Sequence, residues 1–132
     1  NNKKIFLKRM INKFKKSNIR ISLFIEPKIS DIKLSKELGA DCVELHTGKY
    51  CNLYNSNKST KSIFSRLKKT ANFAKKIGME VHAGHGLTYK TAYHVSKIKS
   101  ISEFNIGHFI IAESIFVSLK KSIKKFKSII NK

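Results

Sequence analysis

Apolar residues first recur at three- and four-residue intervals. Ile5, Phe6, Met10, Ile11 and Phe14 stand among lysines from Lys3 to Lys16, the pattern of an amphipathic helix, and Ser17-Asn18 ends it. The period then changes. The run from Ile19 to Ile25 is β-branched and aromatic and is closed by Glu26-Pro27, which predicts a buried strand stopped by proline. Ser30-Asp31 is a candidate cap for a short helix carrying Ile32, Leu34 and Leu38, and Gly39 a candidate left-handed terminus. Cys42 to His46 predicts a second strand. Asn, Ser and Lys crowd residues 52–59, a predicted loop, and Ile63, Leu67, Ala71, Ala74 and Ile77 then trace a long helix ending at Gly78. Met79 to Ala83 predicts a third strand, followed directly by Gly84-His85-Gly86. A short helix from Thr88 to Ile98, a strand from Glu103 to Ile106 and a helix from about Phe109 to Ile130 complete the chain.

Four strand-then-helix units emerge. Strands alternating with helices at this spacing predict parallel pairing with right-handed crossovers, in an open doubly wound sheet or a barrel. No stretch reads as a linker, so residues 1–132 are expected to form a single domain. An eight-unit barrel takes about 250 residues, so this α/β chain reads as half of a (β/α)8 TIM barrel. The opening Asn1-Asn2-Lys3-Lys4 falls inside a running helix rather than at a Met, which gives the same expectation of a piece of a longer chain.

Composition bounds what such a half-barrel can do. The formal net charge is +20, from 28 Lys+Arg against 8 Asp+Glu, a balance that ordinarily suggests nucleic acid or an anionic membrane. The kind of base argues otherwise. Only Arg9, Arg20 and Arg66 are arginines, whereas phosphate and base recognition leans on the guanidinium fork, and no aromatic-and-arginine sheet motif for RNA is present. Lys, Ile and Asn share A/T-rich codons, so much of the excess reads as base-composition drift onto solvated helix faces. An apolar fraction of 41% with nine Phe excludes a disordered basic tail. Cys42 and Cys51 are too few for a disulfide scaffold or a closed zinc site, which fits a reducing cytosol. No apolar run approaches the roughly 20 residues of a membrane span and no leader opens the chain, so it reads as soluble and cytoplasmic.

The polar residues that do not suit a core fall at the carboxyl ends of the predicted strands: Glu26, Glu44 with His46, His82 with His85, and Asn105 with His108. In parallel α/β folds that edge holds the site. Glu44 suits general acid/base work or cation stabilisation, and equally a structural ion pair. His85 lies between Gly84 and Gly86, which let a ligand approach the backbone, and histidine is the side chain suited to proton exchange near neutral pH. Asn105-Ile106-Gly107-His108 joins the last strand to a helix. Its amides and the helix dipole suit a phosphate, although glycine there also serves a plain tight turn. His82 and His85 invite a metal, but a three-residue offset on a strand points them to opposite faces, and no metal is expected. Phe104, Phe109, Phe116 and Phe126 read as core or helix-packing residues.

Four blocks in order, Ile21-Ser22-Leu23-Phe24-Ile25, Val43-Glu44-Leu45-His46-Thr47-Gly48, Ala83-Gly84-His85-Gly86-Leu87 and Asn105-Ile106-Gly107-His108, resemble the pyridoxine 5'-phosphate synthase family. The resemblance covers essentially this whole chain and only the carboxyl-terminal half of the family. It implies a TIM barrel that condenses 3-amino-2-oxopropyl phosphate with 1-deoxy-D-xylulose 5-phosphate, releasing inorganic phosphate and water. It implies no metal or organic cofactor, small phosphorylated molecules as partners, and a homo-oligomer at full length. Residue by residue, it implies that Glu44 stabilises transition states, that His85 is the proton donor, and that Gly86, Gly107 and His108 hold the aminoketone substrate. Thr47 and Gly48 are assigned only loop geometry. His82 departs from the pattern, since the family more often carries Asn there, and would add a positive charge beside His85. The family's amino-terminal bases and substrate-gripping arginines have no counterpart, so this half by itself is expected neither to turn over nor to stay unpaired, given the open edges of a cut parallel sheet. The rival readings are another phosphate-binding half-barrel enzyme and a basic nucleic-acid-binding module.

Overall fold

The computed structural model describes residues 2–131. Along the chain lie α1 (Asn2–Lys16), β1 (Ser22–Ile25), α2 (Ile29–Leu38), β2 (Cys42–His46), α3 (Gly48–Asn55), α4 (Lys61–Lys76), β3 (Glu80–Gly84), α5 (Tyr89–Val95), β4 (Glu103–Asn105), α6 (His108–Val117) and α7 (Leu119–Ile130). The strands form one parallel sheet in the order β1-β2-β3-β4, each pairing with the next in sequence. A parallel neighbour cannot be reached by a tight turn, and every connection accordingly contains at least one helix. No helix among the described residues is long and apolar enough to cross a membrane.

Register sorts the strand side chains onto two faces of opposite character. Leu23, Val43 and Val81 align in one row and Ile25, Leu45, Ala83 and Phe104 in the next. These rows pack on the helices: Val43, Leu45 and Ala83 are fully buried in one cluster with Ile32 of α2, Ala71 and Ala74 of α4, and Val95 of α5. Burying one such large aliphatic side chain contributes about 1.5–3 kcal/mol, so this face carries the fold. The alternate positions form the rows Phe24, Glu44, His82, Glu103 and His46, Gly84, Asn105 on the other face.

Several elements depart from expectation, each for a local reason. β1 begins at Ser22 rather than Ile19, because the Asp41 carboxylate takes the Ile21 N–H at 2.9 Å. It is an edge strand, not a buried one, and Phe24 is 55% exposed on the polar face. Lys28, not Ser30-Asp31, stands at the α2 cap position; Ser30 turns its hydroxyl to Asp31, which sits in the first turn and still complements the helix dipole. Gly39 ends α2 with φ 91° as expected. The predicted loop over 52–59 is helical to Asn55, because α3 is anchored by buried Tyr50 and Cys51 rather than by its polar composition. The final helix is broken at Ser118 (φ 73°) into α6 and α7. Buried Phe126 of α7 packs on Tyr89 of α5 at 4.5 Å between ring centroids, while α6 buries no residue and leaves Ile115 and Phe116 more than three-quarters exposed.

Asp41 joins three segments. It accepts from the Ile21 N–H and pairs with Lys15 of α1 at 2.8 Å, and Lys15 also donates to the Gly39 carbonyl. The Lys15 bond first, then the Ile21 amide, hold the Asp41 carboxyl below its ordinary value. A carboxylate with a lowered folded-state pKa stabilises the protein above the ordinary carboxylate range, and that contribution is lost as pH falls through the lowered value. Asp41→Asn is expected to cost about 1 kcal/mol at pH 7 in urea unfolding, solvent screening the exposed Lys15 pair, and almost nothing near pH 2. An equal cost at both pH values would show that the charge is not what matters.

Candidate active site

The carboxyl ends of β2, β3 and β4 open on a cleft of about 670 Å³ whose lining includes Phe24, Glu44, His85, Gly86, Asn105, Gly107 and His108. The five residues singled out for roles from the sequence therefore share one cavity, contributed by successive strand ends.

Glu44 lies half-buried on the polar face and accepts a hydrogen bond from Asn105 Nδ2 at 2.7 Å, reaching across β3 to β4. Gly84 lies under that reach. A Cβ built there would stand 2.0 Å from Glu44 Oε1, so the carboxylate can occupy this position only because residue 84 has no side chain.

β3 then turns sharply, with both His85 and Gly86 at φ 79°. For glycine that conformation is ordinary. For histidine it costs of order 1–3 kcal/mol and persists only where the surroundings fix it. Buried Thr47 does so in part: its single hydroxyl proton is shared between the carbonyls of Gly84 and His85, each 2.7 Å from Oγ1, and its amide donates to Gly84 O at 2.9 Å. The exposed His85 ring lies 4.6 Å from that of His46 and 6.3 Å from that of Phe24. His46 Nδ1 is 2.7 Å from Glu26, which orients it. Gly48 leaves room for both rings, since a Cβ there would come within 3 Å of His85 Cδ2 and His46 Nε2. Cys51 lies beneath Gly86, and burial pushes its thiol upward, away from the thiolate a nucleophile needs. Cys42 is likewise free and buried.

Gly107 precedes α6 with φ −114°, a conformation open to any residue, and a Cβ there would meet nothing within 4 Å. The turn itself therefore does not require glycine, contrary to the tight-turn expectation; the space above it belongs to the cleft. His108 opens α6, whose first-turn amides have no helical partners and whose start is capped by no side chain.

His82 lies apart from this arrangement. Its Nε2 is 2.9 Å from Glu80 and its Nδ1 3.4 Å from Glu103, so a positive charge on its ring would be matched by flanking carboxylates rather than set against His85. The His82 hydrogen bond, with Arg20 adding to it, holds the Glu80 carboxyl below its ordinary value. Glu80, His82 and Glu103 place ligand-type atoms within 4.8 Å of one another, a grouping that excludes His85. The pairing considered from sequence, His82 with His85, does not form.

A family model described as "Pyridoxal phosphate biosynthesis protein PdxJ" matches residues 1–132. The chain belongs to the PdxJ family. It is similar to the pyridoxine 5'-phosphate synthase of Pelagibacter ubique, 58% identical over all of this chain and 54% of the relative. It also resembles those of a Sulfurihydrogenibium species, 46% identical over 95% of this chain and 51% of the relative, and of Campylobacter fetus, 42% identical over 94% and 57%. The chain thus spans about half the length of the curated relatives it matches. PdxJ is a TIM-barrel family, and the four parallel strands here are half the eight of such a barrel.

Strand-end polarity was the readable signal for this cleft, and it marked Glu44, His85, Asn105 and His108 directly. Two further contributors, Phe24 and Thr47, and the bond made by Asn105 escaped it. Phe24 fell within a run expected to be a buried strand, although the alternation of Ser22 and Phe24 with Leu23 and Ile25 places it on the polar face. Asn105 was noted without its bond to Glu44, 61 residues away, which no local pattern announces. Thr47 sat inside a matching block but points inward, under the loop, rather than into the cleft.

Proposed function

We propose that this chain forms part of a pyridoxine 5'-phosphate synthase site, in which 3-amino-2-oxopropyl phosphate condenses with 1-deoxy-D-xylulose 5-phosphate to give pyridoxine 5'-phosphate, inorganic phosphate and water. One observation carries the reading: Glu44, His85 and the Gly107-His108 helix start open into a single cleft from three neighbouring strand ends. Each group has chemistry suited to a step. The Glu44 carboxylate, fixed by Asn105, offsets positive charge developing at imine-like nitrogen. The His85 imidazole, exposed to the cleft, delivers a proton to a departing hydroxyl. The phosphate of the aminoketone sits on the amides at the start of α6, beside His108, where the helix dipole favours an anion and Gly107 leaves the approach clear. Gly86 lines the same wall.

Full-length protein incubated with both phosphorylated substrates is expected to form pyridoxine 5'-phosphate, followed by absorbance and mass spectrometry. The 132-residue chain alone is expected to form none, because the resemblance assigns the remaining bases and substrate-gripping arginines to the other half. Thermal stabilisation by a different sugar phosphate, with no product from these two substrates, would replace this reading with another phosphate-binding barrel enzyme.

A further inference from the structure

Thr47 occupies the N-cap position of α3, where a threonine hydroxyl ordinarily accepts from an amide of the first helical turn. Here it makes no such bond. The hydroxyl instead points under the β3 turn, where its one proton is shared between the carbonyls of Gly84 and His85, both 2.7 Å from Oγ1, while the residue is wholly buried. Two further bonds fix Thr47 itself: its amide donates to Gly84 O, and its carbonyl accepts from the Cys51 amide at 3.0 Å. The bonded carbonyl is that of the one non-glycine residue of this turn held in the left-handed region. Without the hydroxyl, Gly84 O keeps the Thr47 amide while His85 O loses this donor, and relaxing the turn would swing the imidazole carried on the same Cα.

We propose that Thr47 is a positioning residue for His85: its hydroxyl forgoes the helix cap in order to lock the left-handed turn that aims the imidazole into the cleft. The proposal rests on the reading of His85 as proton donor. It adds a specific atom, Thr47 Oγ1, that never meets substrate yet sets where the proton is delivered.

The test compares Thr47→Val, which keeps the shape and removes the donor, with Thr47→Ser, which keeps the donor, both in full-length protein with unfolding midpoints measured alongside. Thr47→Val is expected to lower kcat by about 10²-fold with KM for either substrate changed less than about threefold, because misplacing a reacting group by about 1 Å has that effect. Thr47→Ser is expected to restore most of the rate. In ¹H–¹³C spectra the His85 Cε1–H resonance should shift or broaden in Thr47→Val and stay in place in Thr47→Ser. Should Thr47→Val fail to fold, Thr47→Ala is read in the same way. A wild-type rate with an unmoved His85 resonance would overturn the proposal, as would a parallel loss of rate in the valine and serine variants. If wild-type protein forms no pyridoxine 5'-phosphate, the assignment of the reaction fails, while the resonance comparison still decides whether Thr47 holds the turn.

Discussion

If the proposed synthase reading holds, replacing His85 with alanine in the full-length protein is expected to lower kcat by about 10²–10⁴-fold, the range a positioned proton donor contributes. The backbone here complicates the choice of variant. At φ 79° alanine is strained much as histidine is, so a loss of activity from His85→Ala alone could reflect a relaxed turn. His85→Asn separates the two effects, because asparagine tolerates the left-handed region and keeps a hydrogen-bonding head but cannot pass a proton. Both variants should unfold at nearly the wild-type midpoint and both should lose turnover. Product formation at the wild-type rate in either one would remove His85 from the proton-donor role.

The second large effect is expected at a residue with no side chain at all. Gly84→Ala introduces a methyl 2.0 Å from the Glu44 carboxylate oxygen and 3.2 Å from Asn105 Cβ, so the carboxylate must leave its place and the Glu44–Asn105 bond must break. Gly84 is not in the left-handed region, which makes this a test of space rather than of backbone strain. Because the displaced group is the mobile end of a partly exposed side chain, the loss of stability should be small. The loss of a preorganised charge costs about 10²–10³-fold in kcat. Gly107→Ala is the informative contrast: with nothing within 4 Å of the new methyl, stability should be unchanged, and any effect should fall on binding of the phosphorylated aminoketone. A fully active Gly84→Ala would mean that Glu44 does not act from the position it occupies.

Much of the fold was legible because its signals are local. The alternating segment Cys42–His46 coincides with β2, and the glycines at 39 and 78 lie in the left-handed region at the ends of α2 and α4. What escaped depends on distant partners. α3 forms within a stretch of helix-poor composition because Tyr50 and Cys51 are buried beneath it. The break at Ser118 separates two helices of different pattern: α7 is amphipathic and buries Phe126 against Tyr89 of α5, whereas α6 is apolar on nearly all sides and buries no residue. The site divides in the same way. Strand-end chemistry marks Glu44 and His85 in the linear sequence, but the Asn105 and Thr47 bonds that fix them join residues 61 and 38 positions apart.

The two-faced sheet has a consequence for how errors in this protein are caught. Slipping β2 by a single residue would drive Glu44 into the aliphatic layer and turn Val43 and Leu45 toward water, so a chain with its carboxylate misplaced would also forfeit the contacts that let it fold. Chemistry and architecture are written on alternate letters of the same strands. Molecules assembled out of phase are thus discarded as unfolded chains before they can persist as well-folded but inert ones.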